Sequence, residues 1–530
     1  MHKHTLMPLL LVAAALTASA QKPDPQEQAI RKLLQSTIMI NQLYVDTINL
    51  ESQVEDAIRG MLSKLDPHSS YTNAEETRRL NEPLQGNFEG IGVSFSMLDD
   101  TLVVNNPTPK GPSERAGILP GDRIVAVNDT AIAGVKMPRD AIMKRLRGPK
   151  DTKVRLKVVR PGVQKLLSFT IKRDKIPMES LDAAYMAAPG VGLIRFSSFA
   201  ATTHAEVMKA FDRLRKEGMR SLIIDLQGNG GGYLGAAVEL AGEFLRDGDR
   251  VVYTEGRDGV LVGNFFAQGL GAFTEGTLVV LIDEQSASAS EILAGALQDQ
   301  DRATIIGRRS FGKGLVQKPL PLDDGSMIRL TTQRYFTPSG RCIQKPYEKG
   351  NAREYSQDVI DRYNRGELTN ADSIHFPDSL RRYTLREHRT VYGGGGIMPD
   401  IFVPLDTTRY TRDYRYCSAR NYISEAHLRY INAHRKELAR QWQSADAFLA
   451  GYTTPEELVQ QVIDRAVQQD SLKVDSTMLE RTRINIGTVL KALVARDLWE
   501  LSQYFQVIYA DDPMVLRAIQ FIADDERRKH

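Results

Sequence analysis

Apolar positions recur with different periods along the chain, and each change of period marks a change of architecture. Between 24 and about 85 they fall at helical spacing, as in Ile30, Leu33, Leu34 and Ile38. Asp66-Pro67-His68-Ser69-Ser70-Tyr71 breaks that pattern, because proline disfavours helix in the residue before it. From about Asn87 to Arg173 the period shortens to that of strands. Gly90-Ile91-Gly92-Val93-Ser94-Phe95 opens with glycines and continues as an alternating strand, 116–124 gives a tight turn entering a strand over 124–127, and 139–146 reads as a helix. Between about 176 and 345 strands and helices alternate. The strands fall at 191–196, 221–226, 278–282 and 303–306, and the helices at 205–216, 234–245 and 291–299. This order predicts α/β layers. Residues 346–390 are polar and charged and read as an insertion. Gly393 to Gly396 with Ile397-Met398-Pro399-Asp400 forms a loop into a short returning strand, and 410–530 returns to helical spacing through Leu490, Leu493, Val494, Leu498 and Leu501. No internal repeat interrupts the order.

The periods divide the 530 residues into a leader at 1–20, an N-terminal helical region at 21–86, a strand-rich module at 87–175, an α/β core at 176–405 containing the 346–390 insertion, and a C-terminal helical region at 406–530. The leader carries a weakly basic Met1-His2-Lys3-His4, an apolar run at 6–16 and Ala18-Ser19-Ala20 before Gln21. Its apolar run is too short for a spanning helix of about 20 residues. No cysteine stands at the cleavage point, which argues against a lipid anchor, and no later stretch is apolar enough to span a bilayer. The reading is a periplasmic, soluble protein exported by a signal peptide cleaved after Ala20. A formal net charge of +3, 42% apolar and 25% charged residues describe a globular protein without a basic stripe, so nucleic acid is not expected as a partner. Cys342 and Cys417 leave one disulfide open in an oxidising compartment.

Two segments carry chemistry. Ser288-Ala289-Ser290-Glu291 is a capping-box sequence before an apolar helix, and alone it reads as a simple helix cap. A helix start also offers free N–H groups and a positive dipole end to a developing oxyanion, with Ala289 as the first donor. Lys313 lies between Gly312 and Gly314, which alone describes a solvated hairpin lysine. Lys313 can serve as a base only when neutral, and burial can lower a lysine pKa of about 10.4 by up to about 3–5 units. Gln317 could accept a hydrogen bond from that amine without adding the negative charge that would raise its pKa. Two motif matches point elsewhere. The 307–313 segment approaches a phosphate loop, but Gly314 stands where Ser or Thr should hold Mg²⁺, and proline-containing strand follows where a helix is required. Gly230 to Gly235 fits the dinucleotide fingerprint G-x-G-x-x-G, without a clear second mononucleotide half. Neither G-x-S-x-G nor H-E-x-x-H occurs, and His68 reads as a turn histidine bonded to backbone.

The run S-A-S-A-S-E at 286–291, F-G-K-G at 311–314 and Gln317 together resemble the C-terminal processing (tail-specific) peptidases, a family of serine–lysine proteases. Lys313 follows Ser288 by the 25 residues of the family pattern. Asp225-Leu226-Gln227-Gly228-Asn229-Gly230-Gly231-Gly232 resembles the family's D-L-R-x-N-x-G-G segment, with Gln227 where arginine is frequent and Gly230 where proline is frequent. The 87–175 module resembles a PDZ domain, whose G-x-G-Φ loop (Φ apolar) offers backbone N–H groups to a peptide's terminal carboxylate. The resemblance implies a multidomain α/β fold: a PDZ domain plus a Ser–Lys protease core of crotonase-like layers, with flanking helical regions. It implies Ser288 as nucleophile, Lys313 as base and Gln317 as the residue orienting the lysine. Gly231 or Gly232 with Ala289 would form the oxyanion hole, and Gly90, Ile91, Gly92 and Val93 would hold the carboxylate of the bound tail. Neither metal nor organic cofactor is implied. Substrates would be proteins or peptides with apolar C-termini, and the helical ends would support a homo-oligomer. D-P-H-S-S-Y also occurs in this family, outside the dyad. The alternative is a tail-binding scaffold whose core does not cut.

Overall fold

The computed structural model describes residues 24–529, so the expected leader lies outside the described residues. The runs at 222–224 and 278–282 are apolar without alternation, as strands covered on both faces must be. They form the centre of a six-stranded sheet. Its order is Leu181–Ala188, Val191–Phe196, Ser221–Asp225, Leu278–Ile282, Thr304–Gly307, Ile401–Phe402. Only the first pair is antiparallel. Helices Thr203–Lys216, Leu234–Gly242 and Ala289–Asp299 pack one face. The other face is covered by the end of the chain: Tyr509, Met514, Val515, Ala518 and Ile522 meet Ile223, Val279 and Leu281. Helices Leu501–Tyr509 and Pro513–Lys529 thus complete the α/β layers.

A second sheet is organised by the long strand Met327–Phe336. It pairs with Leu315–Pro321 along most of its length, with Ser70–Thr72 near its start and with Arg250–Glu255 at its end. The D-P-H-S-S-Y break therefore enters this sheet as a strand. Beside Ser70–Thr72 stand the expected helices Leu50–Leu62 and Ala74–Gln85, the latter opened by a capping box between Asn73 and Glu76, and Pro25–Leu43 precedes them. The apolar stripe of the first helix buries nothing, and Ile30, Leu33, Leu34 and Ile38 are all exposed.

The 87–175 module is an antiparallel sheet, Val93–Leu98, Thr101–Pro107, Arg123–Val127, Lys153–Val159 and Leu167–Lys172, with helix Arg139–Leu146 packed on it. Strict alternation of burial along Lys153–Val159 shows one face inward and one face wet. Strands Asn87–Gly90 and Asp174–Pro177 pair as chain entry and exit. The polar insertion is less detached than its composition suggests. Its helix Ala352–Asn364 buries Arg362 completely, and that guanidinium donates to the carbonyls of Ser310 (3.0 Å) and Arg309 (2.6 Å). Cys342 and Cys417 are both free thiols. Among the described residues no helix is long and apolar enough to cross a membrane.

Candidate active site

Ser288 stands at the N-cap of helix Ala289–Asp299, in the capping box its sequence predicted. Its backbone has φ 57° and ψ −113°, a conformation that costs a non-glycine residue about 1–3 kcal/mol and tends to mark functional sites. The three serines of the run have different fates. Ser286 and Ser290 are fully buried, and their hydroxyls donate to the carbonyls of Leu226 (2.7 Å) and Asn229 (2.8 Å). Both bonds tie the helix start to the glycine-rich loop that follows strand Ser221–Asp225. Ser288 alone is left half-exposed.

Glu291, which the sequence showed only as the fourth residue of the capping box, is the hub of the site. It is completely buried. One carboxylate oxygen accepts the N–H groups of Ser288 (2.8 Å) and Lys313 (2.9 Å), and the other accepts the Gly312 N–H (2.7 Å) and the Ser310 hydroxyl (2.5 Å). Burial pushes this carboxyl up to about 7, against the pull of those four donors. The buried Tyr335 hydroxyl completes the clamp by bridging the carbonyls of Lys313 (2.6 Å) and Ser288 (3.2 Å). Two segments 25 residues apart are thus joined at both their N–H and their carbonyl groups.

Lys313 is half-buried, and its ammonium has no hydrogen bond or ion pair among the described residues. Desolvation lowers its pKa and the nearby Arg329 lowers it further, while Glu291 and Asp66 oppose the shift. The flanking glycines are required sterically. A Cβ at Gly312, where φ is +88°, would press on Gly396 N and Lys345 Cβ, both at 3.1 Å, and one at Gly314 would meet Gln344 N at 2.8 Å. Gln317 lies on the strand that follows, its Nε2 donating to Leu315 O (3.3 Å) and Thr331 Oγ1 (3.2 Å). No hydrogen bond joins the Ser288 hydroxyl, the Lys313 amine and the Gln317 amide among the described residues. Catalytic contacts are commonly loose before substrate binds and tighten in the complex.

The loop at 225–232 faces Ser288. A Cβ on Gly231, at φ +98°, would meet Ser288 Cβ at 2.8 Å and Ala289 N at 2.9 Å, so only glycine allows this approach. Asn229 pins the loop, donating to Phe196 O (2.8 Å) and accepting the Gly231 N–H (2.9 Å). Of the expected oxyanion donors, the Gly231 N–H is therefore already engaged, whereas those of Gly232 and Ala289 have no partner among the described residues. Gly232 is pressed against the Phe199 backbone. Gly231 and Gly232 thus make room for protein, not for a pyrophosphate. The phosphate-loop match likewise continues as strand Leu315–Pro321.

The D-P-H-S-S-Y turn lies closer to Lys313 than the sequence suggested. His68 does use its backbone N–H in the turn, donating to Asp66 Oδ1 (2.9 Å), but its ring meets the Tyr355 hydroxyl of the insertion (2.9 Å) instead of backbone. Burial, and then the charge of Lys313, push its pKa down to about 4, so this ring is neutral near pH 7. In the 87–175 module, Ile91 and Gly92 link two strands, and their N–H groups have no partner among the described residues. Gly90 is drawn into the entry strand opposite Asp174, and Val93 begins the next strand.

Peptidase family S41 matches residues 190–350 and a PDZ domain matches 90–172. The N-terminal domain of the activating protease CtpB matches 10–77, and a family of unknown function, DUF8443, matches 414–500. The carboxy-terminal processing protease CtpB of Bacillus subtilis is 37% identical over 335 residues, 63% of this chain and 69% of that protein. A carboxy-terminal-processing protease of Bartonella bacilliformis is 38% identical over 306 residues, 57% of this chain and 69% of that one. The solved photosystem II D1 C-terminal processing protease is 28% identical, with 72% of this chain and 88% of that one covered at a TM-score of 0.36.

Proposed function

The chain belongs to peptidase family S41, the carboxy-terminal processing serine proteases, and from that premise we propose an exported Ser–Lys endopeptidase that cuts proteins at or near apolar C-terminal tails. The PDZ domain carries the tail, its carboxylate on the N–H groups at Ile91 and Gly92 with Gly90 and Val93 framing the loop. Lys313, neutral, takes the Ser288 hydroxyl proton as Oγ bonds to the scissile carbonyl carbon. The N–H groups of Ala289 and Gly232 stabilise the oxyanion. Gly231 supplies the close approach. Lys313 then gives the proton to the leaving amine as the C–N bond breaks, leaving an acyl-enzyme. Water attacks the ester carbonyl, Lys313 taking its proton and returning it to Ser288 as the product carboxylate leaves. Neither a metal nor an organic cofactor enters these steps. Export to a periplasm and self-association through the helical ends belong to the same reading.

The observation that carries it is the Glu291–Tyr335 clamp, which binds the Ser288 and Lys313 segments to each other while leaving Ser288 the accessible serine of its run. The test is cleavage of an unfolded protein bearing an apolar C-terminal tail, with a metal chelator present. Wild type should cut, and Ser288→Ala and Lys313→Ala should not. Cleavage by Ser288→Ala would remove the nucleophile assignment. Binding without cleavage by all three would favour the scaffold.

A further inference from the structure

Assigning Lys313 as base leaves open which end of the Gln317 amide it meets, and a network reaching back to the N-terminal region answers that. Asp66 is buried at the D-P-H-S-S-Y turn. Its Oδ1 accepts the N–H groups of His68 (2.9 Å) and Ser69 (3.0 Å) and the hydroxyl of Thr331 (2.9 Å), and its Oδ2 accepts the Ser69 hydroxyl (2.5 Å). Burial alone would raise this carboxyl, but the donors outweigh it and hold the pKa below the usual value. An ionised carboxylate only accepts, so the single Thr331 hydroxyl proton is committed to Asp66. The Thr331 oxygen must then accept, and it accepts from Gln317 Nε2 at 3.2 Å. The second hydrogen-bonding direction of that nitrogen is taken by the Leu315 carbonyl at 3.3 Å. Turning the amide over would set its oxygen against that carbonyl. The register is fixed as well, because the Thr331 N–H donates to Ser69 Oγ (3.1 Å) where strand Ser70–Thr72 joins Met327–Phe336.

We propose that Asp66 and Thr331 are positioning residues that hold the Gln317 amide with its nitrogen inward and its oxygen free to receive a hydrogen from the Lys313 amine. The turn from the helical region is then part of the catalytic assembly, although it touches no reacting atom. This inference rests on the reading of Lys313 as base. The charged and titratable groups facing Lys313 are Asp66 and His68 from the turn, Glu291 from the helix behind Ser288, and Arg329 from the same strand as Thr331.

The test compares Thr331→Val, Thr331→Ser and Asp66→Asn with wild type in steady-state cleavage across pH, beside calorimetric binding of an apolar tail peptide and thermal unfolding. In Thr331→Val the amide is released, so kcat should fall about tenfold to a hundredfold, the scale of a lost positioning contact, with KM and peptide binding within about twofold. The acidic limb of kcat/KM should move to lower pH, because the ammonium loses an oxygen that favours it. Thr331→Ser keeps the relay and should stay near wild type. Asp66→Asn keeps an oxygen for Thr331 but removes the negative charge, so its limb should also move to lower pH, a readout independent of any loss of stability. Wild-type kcat and an unmoved limb in Thr331→Val would overturn the network, as would equal losses in the Val and Ser variants. Full cleavage by Lys313→Ala would instead bring down the dyad reading beneath it.

Discussion

At the scale of the residue, the two requirements on Lys313 oppose each other. A base must be neutral, and a neutral lysine is made by denying water to its ammonium. Desolvation and the nearby Arg329 depress its pKa, and no partner among the described residues offsets that fully. Activity should therefore rise with pH through a pKa below the free value of about 10.4, and a flat kcat/KM from about pH 5 to 10 would count against Lys313 as base. The same shift acts on stability. With the folded pKa below the unfolded one, the unfolded state holds more protons between the two, so stability rises with pH across that window. Below the folded pKa the full penalty of a desolvated ammonium remains. Lys313→Met should accordingly lose about 10²–10⁴ in kcat, the worth of a general base, yet melt at a higher temperature than wild type near neutral pH. The difference should shrink towards pH 10, where wild type sheds the proton. A variant that melts lower at pH 6, or a gap that does not close, would show that the lysine is not desolvated in the folded protein.

At the scale of the element, what the sequence made legible was local. Helix starts, the glycine-framed lysine and the buried strands follow from spacing and from residue types a few positions apart. What it hid was the pairing of distant parts. Glu291 is visible as a capping residue, but its bonds to Gly312 and Lys313 exist only because the 310–313 loop folds back over the helix start. Asp66 and Thr331 lie 265 residues apart, and no periodicity links them. The C-terminal helices were likewise legible as helices and not as neighbours of the 225–232 loop. Yet Tyr509 donates to Asp225 Oδ2 (2.6 Å), which also accepts from Arg195 (2.8 Å), while Asp225 Oδ1 holds the Gln227 N–H (2.9 Å) at the root of the loop. Phe505 lies 4.7 Å beneath the Arg195 guanidinium. Tyr509→Phe removes a hydroxyl that donates to Asp225 and also accepts from Arg195 (2.8 Å), and it should cost at least about 1.5–3 kcal/mol in denaturant unfolding. Because the loop is anchored through the same carboxylate, kcat should fall with it while the binding of a tail peptide to the PDZ domain stays unchanged. Unaltered kcat alongside the expected loss of stability would separate the C-terminal helices from catalysis and leave them a purely structural cover.

At the scale of the whole molecule, the C-terminal region spans both domains. Its last helices close the protease sheet, while helix Tyr422–Gln441 sets Leu428 against Leu98 and Val103 of the PDZ domain and Arg429 against Asp99 (2.6 Å). Helix Pro25–Leu43 has no such anchorage among the described residues. It is 19 residues long and buries none of its side chains, and an isolated helix of that size is marginal in water. Its stripe of Ile30, Leu33, Leu34 and Ile38 gains stability only by being covered. A second copy of the chain can do this symmetrically, each stripe against its twin, without requiring a partner of different chemistry. Light scattering at tens of micromolar should then give at least twice the mass of one chain. Replacing Leu34 and Ile38 by glutamate should return it to one, because the apolar contact area, worth about 25 cal/mol per Å², would be exchanged for two charges in a closed seam. A monomeric wild type would exclude the pairing. An oligomer indifferent to both glutamates would move the seam elsewhere, and with it the reason for a helix Pro25–Leu43 that buries none of its own side chains.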